Sequence, residues 1–506
     1  MKKNVYERVQ AFYDEAIVWE PIIQQGWVEG FLRQKAWQGM SDAKLNDIWQ
    51  QIQLLILYLT HFNNEDLDEI SQAEYSFMVK WLMENVKGFK ATVKSVRHFF
   101  SVLIEFYTYL YSKKIILSLG EIKDAAQEIS GGNEINLLKS ESILEGLKQD
   151  TEVFDDVLPQ GIVIGEAVES LMLKLGKYFQ QQEFTDDFER ALLLYTGPFD
   201  NGSEEAEEDF WLGFWDYFLF DYHLLENDLK PLAYFNVTYG SRLAKDEFQI
   251  LQSLLGSRFT VFYIKRIMNQ DLVECVNLFT NEVFQLPMPD FDYKIVKKLL
   301  FFGHIFSQGL VMINYVTSLE VSANLRKRIK EEVLRQKQIF LIQQPEATLE
   351  DFFKRHALVV RHTINILVTL AKVNVISLNH LERNYPVIEA RRIPQESVKI
   401  LLHELVIEYG LSRFDEQLLE RMWNDFCQLS NINIRKPINW AAGLLMAYCT
   451  INGAMNMNVE QIAEKMKISI AGLYKSKAQL YEVLHLEPFD PRYLSEDGFV
   501  NFLFIE

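Results

Sequence analysis

The stretch that most constrains this 506-residue chain lies near its end, from Lys436 to Leu484. Pro437 can sit at the first position of a helix, where its missing N–H has no partner to lose. Trp440 to Ile451 then reads as a strongly apolar helix, ended by Asn452-Gly453. Asn458 is a candidate N-cap for a short helix, with Gln461 three residues on as the reciprocal capping partner. Val459, Ile462, Ala463 and Met466 recur at helical spacing. After a break at Lys467-Ile468, Ser469 can cap a second helix that carries Leu473, Ser476, Leu480 and Leu484 along one side.

Short helix, tight turn and second helix make a helix-turn-helix arrangement, whose second helix can enter a DNA major groove. Ala463 is small enough for the helices to approach, and Ile468 and Leu473 can lock the turn. With Trp440-Ala441-Ala442 ahead of the unit from Ile462 to Ser469, the segment is similar to the helix-turn-helix ending of bacterial regulators and of cyclin-like transcription-factor repeats. The resemblance implies DNA as a partner and a nucleic-acid interface drawn from Lys465, Lys467, Ser469, Tyr474, Lys475 and Lys477. Two features bear on that interface. Lys467 stands where glycine is usual, at about 1 kcal/mol if its backbone is left-handed. Ile470, Ala471 and Gly472 open the second helix and offer no bidentate bonds to base edges. Lysines there suit phosphates, and Tyr474 suits a sugar or a base. The competing reading is a packing unit or a protein-docking wing.

Charge frames the choice. The net charge is −19, so polyphosphate is repelled at long range and any nucleic-acid site needs a locally basic face. From Arg435 to His485 the sign does reverse, with lysine or arginine at 435, 436, 465, 467, 475 and 477 against Glu460, Glu464 and Glu482. With 49% hydrophobic and 24% charged residues the chain is globular rather than disordered, and 36 Phe, 22 Tyr and nine Trp supply its core. Cys275, Cys427 and Cys449 lie far apart, in neither a zinc pattern nor a disulfide framework. Met-Lys-Lys is followed by Asn-Val-Tyr-Glu-Arg rather than an apolar run, and no membrane-length apolar stretch occurs; a cytoplasmic protein is expected.

Three domains are expected: an N-terminal helical bundle over 1–130, a mixed region over 131–345, and a C-terminal helical domain over 346–506 with the helix-turn-helix at about 458–484. In the first, Ser41 to His61 turns Trp49, Ile52, Leu55 and Tyr58 inward. Thr92 to Ser112 carries a stripe of Val96, Phe99, Phe100, Leu103, Phe106 and Leu110. This helix and its lead-in resemble the helical N-terminal domain of phage-type integrases. The matching catalytic box does not follow: in Leu358-Val-Val-Arg361-His362-Thr363, leucine holds the place of the first histidine, and no nucleophilic tyrosine signature comes after. Recombinase chemistry is excluded. Ser130 to Asn133 and Gly197 to Ser203 are loops, with an amphipathic helix over Gly165 to Gln182 between them.

The middle region opens with Glu204 to Asp209, which reads as a solvated, dipole-matched helix start rather than a metal site. The aromatic run of Phe210, Trp211, Phe214, Trp215, Phe218, Phe220 and Tyr222 reads as core, and this acidic aromatic region is also where protein partners could dock. Asp216 and Asp221 lie inside it, and buried carboxylates need partners. From Arg258, five β-rich runs (258–267, 272–280, 282–287, 298–306 and 310–317) suggest a small barrel or half-barrel at about 258–318. Lys265, Arg266, Lys294, Lys297 and Lys298 interleave there with Phe262, Tyr263, Phe301 and Phe302, in the pattern of a nucleic-acid surface. A basic helix follows, with Arg326, Lys327, Arg328 and Lys330. Through Phe214 to Tyr222 and Ser257 to Phe284, this order resembles an uncharacterised group of bacterial proteins often associated with SEC-C zinc motifs, although the zinc motif itself is missing from the sequence.

No P-loop, dinucleotide fingerprint, nucleophile elbow or metal-ligand spacing occurs. His356 and His362 are six apart, and His403-Glu404 lacks the second histidine of a zinc-protease motif. The expected protein is therefore mainly α with a small central β unit. It is a non-enzymatic regulator without catalytic, cofactor or metal residues that binds DNA through its C-terminal helix-turn-helix; the alternative is an interaction scaffold that binds no nucleic acid.

Overall fold

The computed structural model describes residues 4–504 apart from 16–20, 63, 65, 91, 138–169, 198–203, 270–271, 288–294, 306, 309–310, 313–315, 371–395, 431–433 and 454–458. Among these residues no helix is long and apolar enough to cross a membrane. The protein is mainly helical with one small sheet, and it divides into two compact units, each drawn from non-consecutive stretches.

The first unit takes residues 1–159, 261–301 and 318–326. Its helices are α1 (Val5–Glu15), α2 (Gln25–Trp37), α3 (Asp42–His61), α4 (Gln72–Asn85), α5 (Val93–Ser112) and α6 (Gly120–Ser130). The inward residues of α3 and α5 are those that helical periodicity selects: Trp49, Ile52, Leu55 and Tyr58 on one, and Val96 through Leu110 on the other, are all buried in one core. Ser71 and Glu74 form a reciprocal capping box at the start of α4, satisfying two otherwise orphaned donors.

The sheet is formed by β1 (Phe259–Ile267), β2 (Leu272–Asn277), β3 (Val283–Pro287), β4 (Leu299–His304) and β5 (Thr317–Glu320), in the order β3-β2-β1-β4-β5. β2 runs antiparallel to both β1 and β3, with Tyr263 opposite Val276 and Cys275 opposite Phe284. Among the described residues its two edges are β3 and β5, so these strands make an open sheet rather than a closed barrel. Four of the five expected strands lie where periodicity places them. The fifth falls at Thr317–Glu320, whereas Val311–Met312 pairs with Ser307–Gln308 in a two-stranded sheet of its own.

The second unit takes residues 160–260, 302–317 and 327–506. Residues 170–179 are helical, within the helix expected over 165–182. Next come α7 (Thr185–Thr196), α8 (Glu204–Phe220), α9 (Pro231–Tyr239) and α10 (Lys245–Leu255). After the sheet, α11 (Ala323–Gln343) and α12 (Leu349–Leu370) lead to α13 (Glu396–Glu408), α14 (Arg413–Leu429), α15 (Pro437–Ile451), α16 (Val459–Lys465), α17 (Ile470–Leu484) and α18 (Glu496–Leu503). Of the aromatic run on α8, Phe214, Phe218, Phe220 and Tyr222 are core, while Trp211 keeps about a third of its surface in solvent. The side chains of Glu204 to Asp209 lie outside the described residues.

Candidate functional site

Among the described residues of the second unit, chemistry-bearing side chains gather, among other places, on the exposed pair α16–α17 and in a buried quartet on α8, β4 and α12. In the first, α15 begins with Pro437 and ends ahead of Gly453, whose φ is +75°. Gly443 on α15 permits a close approach, since a Cβ there would stand 2.7 Å from that of Ser476 on α17. Ala442, Met446, Ile462 and Leu473 form a small core joining α15, α16 and α17, with Val459, Met466 and Ile468 packed against it. Leu473, Ser476, Leu480 and Leu484 are the buried residues of α17. Lys467 makes the turn with φ +52°, a conformation that L side chains rarely take. Ser469 then caps α17, its hydroxyl oxygen accepting from the Gly472 N–H at 3.1 Å. Asn458, expected to cap α16, lies outside the described residues.

The six expected interface residues divide by environment. Lys467 and Lys475 are exposed with no side-chain partner among the described residues, and Tyr474 is 50% exposed. Lys477 points back into the bundle, donating to the Thr450 hydroxyl at 2.9 Å and lying 5.7 Å from the Tyr481 ring centre; burial lowers its pKa. Lys465 is salt-bridged to Glu408 and lies 5.9 Å from the Tyr409 ring centre. The outward face of α17 thus opens with Ile470, Ala471, Tyr474 and Lys475, next to Lys467.

The basic, aromatic pattern in the sheet behaves differently. Lys297 is 2% exposed, its ammonium 2.7 Å from the Glu74 carboxylate; Arg266 meets Glu121 at 2.9 Å and Lys265 meets Glu69 at 3.5 Å. Phe262 stacks on Phe301 inside the core, Phe302 is buried, and Arg326 covers Tyr263 at 4.2 Å. Lys294 lies outside the described residues. Lys297 thus serves the interior of the first unit, while Lys265, Arg266 and Lys298, the last 3.9 Å from Glu320, are paired with acids nearer its surface.

The buried quartet is Asp216, Asp221, His304 and Arg361. Asp216 sits on α8, Asp221 just past its end, His304 at the end of β4 and Arg361 inside α12; each is at most 4% exposed. The Asp216 carboxylate accepts from the His304 backbone N–H at 3.2 Å and faces Nδ1 at 3.1 Å. His304 Nε2 stands 3.2 Å from Asp221. One guanidinium nitrogen of Arg361 bonds Asp216 and reaches Asp221 at 3.2 Å. Phe220 stacks on the His304 ring and Phe259 lies under Arg361. Burial alone pushes the imidazole pKa down; Asp221 and Asp216 outweigh it and raise it to about 9. The Asp221 carboxyl is opposed by its own burial, but His304, Lys230 and Arg361 hold it below the usual range.

Two carboxylates therefore face an imidazolium and a guanidinium, and the charge closes. Asp216, Asp221 and His304 have ligand atoms within 4.8 Å of one another, a spacing that can suit a metal ion. Arg361 on both carboxylates, and Lys230 at 3.7 Å from Asp221, make a further divalent cation electrostatically unfavourable. Access is equally restricted. The cavity that Asp221 lines with Tyr217, Arg355, His356 and Glu496 measures about 10 Å³, the space of one water. The quartet is built to hold elements together rather than to admit a substrate.

The two histidines beside Arg361 complete this interior. His356 interrupts α12 with non-helical backbone (φ −124°, ψ 31°), and burial lowers its pKa to about 3. His362 Nε2 lies 2.8 Å from the Leu194 carbonyl; since a carbonyl only accepts, Nε2 carries the proton, and burial brings the ring's pKa to about 4. Sequence reasoning singled out Asp216 and Asp221 but missed His304 as their partner. Its one local signal is a lone histidine closing an apolar strand. No family model, curated protein or solved structure matches the chain.

Proposed function

We propose that the protein binds nucleic acid through the phosphate backbone, using the outward face of α17 and the turn before it in a helix-turn-helix. The observation that carries this reading is the contrast within one short segment. Lys465 is paired with Glu408 and Lys477 with the Thr450 hydroxyl, while Lys467 and Lys475 stand exposed and unpaired among the described residues beside a half-exposed Tyr474. Lysines so placed suit phosphate oxygens, and Tyr474 suits a sugar or base face. Ile470, Ala471 and Gly472 offer nothing to base edges, so the binding is sequence-independent.

The test is fluorescence anisotropy of the full chain with mixed-sequence duplex DNA. Two phosphate contacts predict a slope of about −1.8 in log affinity against log salt, or roughly tenfold between about 50 and 200 mM. Lys467→Glu/Lys475→Glu abolishes that component. No binding by the wild-type chain at low salt overturns the reading.

A scaffold reading draws on Trp211 and Leu212 of α8, which are 36% and 41% exposed after an acidic helix start. Exposed aromatic and apolar side chains are typical anchors of protein interfaces. Under that reading Trp211→Ala/Leu212→Ala releases a co-purifying protein and leaves DNA affinity untouched.

A further inference from the structure

His356 breaks α12 with non-helical backbone, and its side chain lines a small cavity inside the second unit. We infer that this cavity binds one water molecule, held between the Asp221 carboxylate and His356 Nδ1. Both residues line it, together with Arg355 and Glu496, and it measures about 10 Å³. His356 is 2% exposed and Asp221 4%; among the described residues neither His356 Nδ1 nor Asp221 Oδ1 has a hydrogen-bond partner. His304 Nε2 and Lys230 Nζ stand 3.2 and 3.7 Å from Asp221 Oδ1, close enough to pair in charge, yet neither makes an aligned hydrogen bond to it.

A buried polar atom without a hydrogen bond bears its full desolvation cost, so two of them on one cavity call for a shared partner. The rings packed on the imidazole, Phe340, Phe352 and Phe499 at 5.0, 5.6 and 5.0 Å, offer it no nitrogen or oxygen. Water serves both atoms at once. It donates one proton to the carboxylate oxygen, and it either accepts from Nδ1–H or donates its second proton to a bare Nδ1, so both tautomers are satisfied. The volume is that of about one water-sized probe, and a buried water typically makes about three hydrogen bonds. Arg355 and Glu496, on the same lining, are at hand for the third. An interrupted helix is also one of the settings in which a water enters the backbone ladder.

The charge around the cavity selects a neutral occupant. Arg355 Nη1 bonds Asp228 at 2.8 Å and Glu496 at 3.2 Å, and His223 Nδ1 lies 3.2 Å from Glu496, so that carboxylate already faces cations. Asp221 has His304, Lys230 and Arg361. A potassium or ammonium ion, each about the size of water, would add positive charge beside a guanidinium in a low-dielectric interior. An anion would meet two carboxylates, and an apolar occupant would leave Nδ1 and Oδ1 unpaired. The site stands independently of the nucleic-acid reading of α17.

The experiment is a high-resolution crystal structure of the full chain, with a second crystal soaked in rubidium, whose anomalous scattering separates a monovalent cation from water. The expected result is one density peak within about 3.2 Å of both Asp221 Oδ1 and His356 Nδ1, with no anomalous signal after the soak. In His356→Phe, which keeps a ring and removes the nitrogen, the peak should vanish. Oxygen-17 relaxation dispersion in solution should then count one long-lived water fewer than in the wild type. Side chains that close on one another with no density between them overturn the site, and so does an anomalous rubidium peak. A peak that persists in His356→Phe, with the count of long-lived waters unchanged, overturns the role of Nδ1. If that variant does not fold, the wild-type crystals decide alone.

Discussion

The buried quartet and the outward face of α17 use charge in opposite ways. In the quartet, two acids and two cations drawn from three elements are buried against one another, with Lys230 3.7 Å from Asp221. At α17, lysines close together in sequence are sorted: two have partners on neighbouring helices and two have none among the described residues. Buried charge costs several kcal/mol per ion in desolvation, so it persists only where partners are complete. Exposed charge costs little and contributes little to folding, which leaves it free to bind something else. Mutation should therefore move stability at the first place and affinity at the second.

The largest effect is expected at Arg361. Replacing it with methionine leaves Asp216 and Asp221 facing only the His304 imidazolium and the more distant Lys230, at about 3–5 kcal/mol of stability. Urea denaturation followed by tryptophan fluorescence measures this, and adding Asp216→Asn to Arg361→Met should recover part of the loss by restoring the charge match. A loss under about 1 kcal/mol would mean that the quartet is not the buried assembly described. DNA affinity of the folded variant should be unchanged.

Next comes pH. His304 is raised from an ordinary value near 6.5 to about 9, so between those values the folded chain binds a proton that the unfolded chain has released. Its contribution is complete below about pH 6.5 and is lost as pH rises through about 9, amounting to roughly 3 kcal/mol at most. His356 and His362 act in the other direction. Held near 3 and 4 by burial, they refuse protons that the unfolded chain accepts, so stability declines as pH falls below about 6.5. Stability measured from pH 5 to 10 should peak near neutrality. In His304→Gln the alkaline decline should flatten while the acid decline remains; a wild-type chain equally stable at pH 7 and pH 10 contradicts the assignment.

The third effect belongs to affinity. Lys467→Glu/Lys475→Glu should weaken DNA binding roughly tenfold or more at low salt, while stability stays within about 0.5 kcal/mol of wild type. Lys477→Glu should do the reverse: its ammonium is held by Thr450, so the change disturbs the contact of α15 with α17. Equal affinity losses at all three positions would erase the sorting of lysines on which the comparison rests.

Local periodicity made much of the fold legible. The inward face of α17, the stripe of α5 and four strands follow from spacing alone, because helices and strands present fixed faces. What spacing does not carry is which distant groups meet. Asp216 lies 88 residues before His304 and 145 before Arg361. Its need for a partner was readable; the partner was not. The same limit explains the sheet. Lys265, Arg266 and Lys297 beside aromatics looked like a ligand surface until Glu69, Glu121 and Glu74, far back in the chain, took them. Strand content likewise says nothing about closure, which depends on whether β3 and β5 meet; among the described residues they remain the two edges.

The smallest effect bears most directly on why Lys467 is a lysine. At φ +52° its Cβ is crowded by its own backbone, and glycine would relieve that by about 1 kcal/mol. Glycine also widens the unfolded ensemble, which returns part of the gain, so Lys467→Gly should stabilise the protein by roughly 0.5 kcal/mol. If Lys467 were only a turn residue, the substitution would improve stability and change nothing else. If it holds a phosphate, the same variant is more stable and binds DNA several-fold more weakly, with a salt slope shallower by about 0.9. Opposite signs in one variant cannot come from a folding defect, since a better-folded protein has no structural reason to bind less well. Lys467→Asn tolerates the left-handed backbone and also removes the charge, so it should follow glycine in affinity. The Lys467→Arg variant keeps both the charge and the strain, and it should follow the wild type in stability and in affinity.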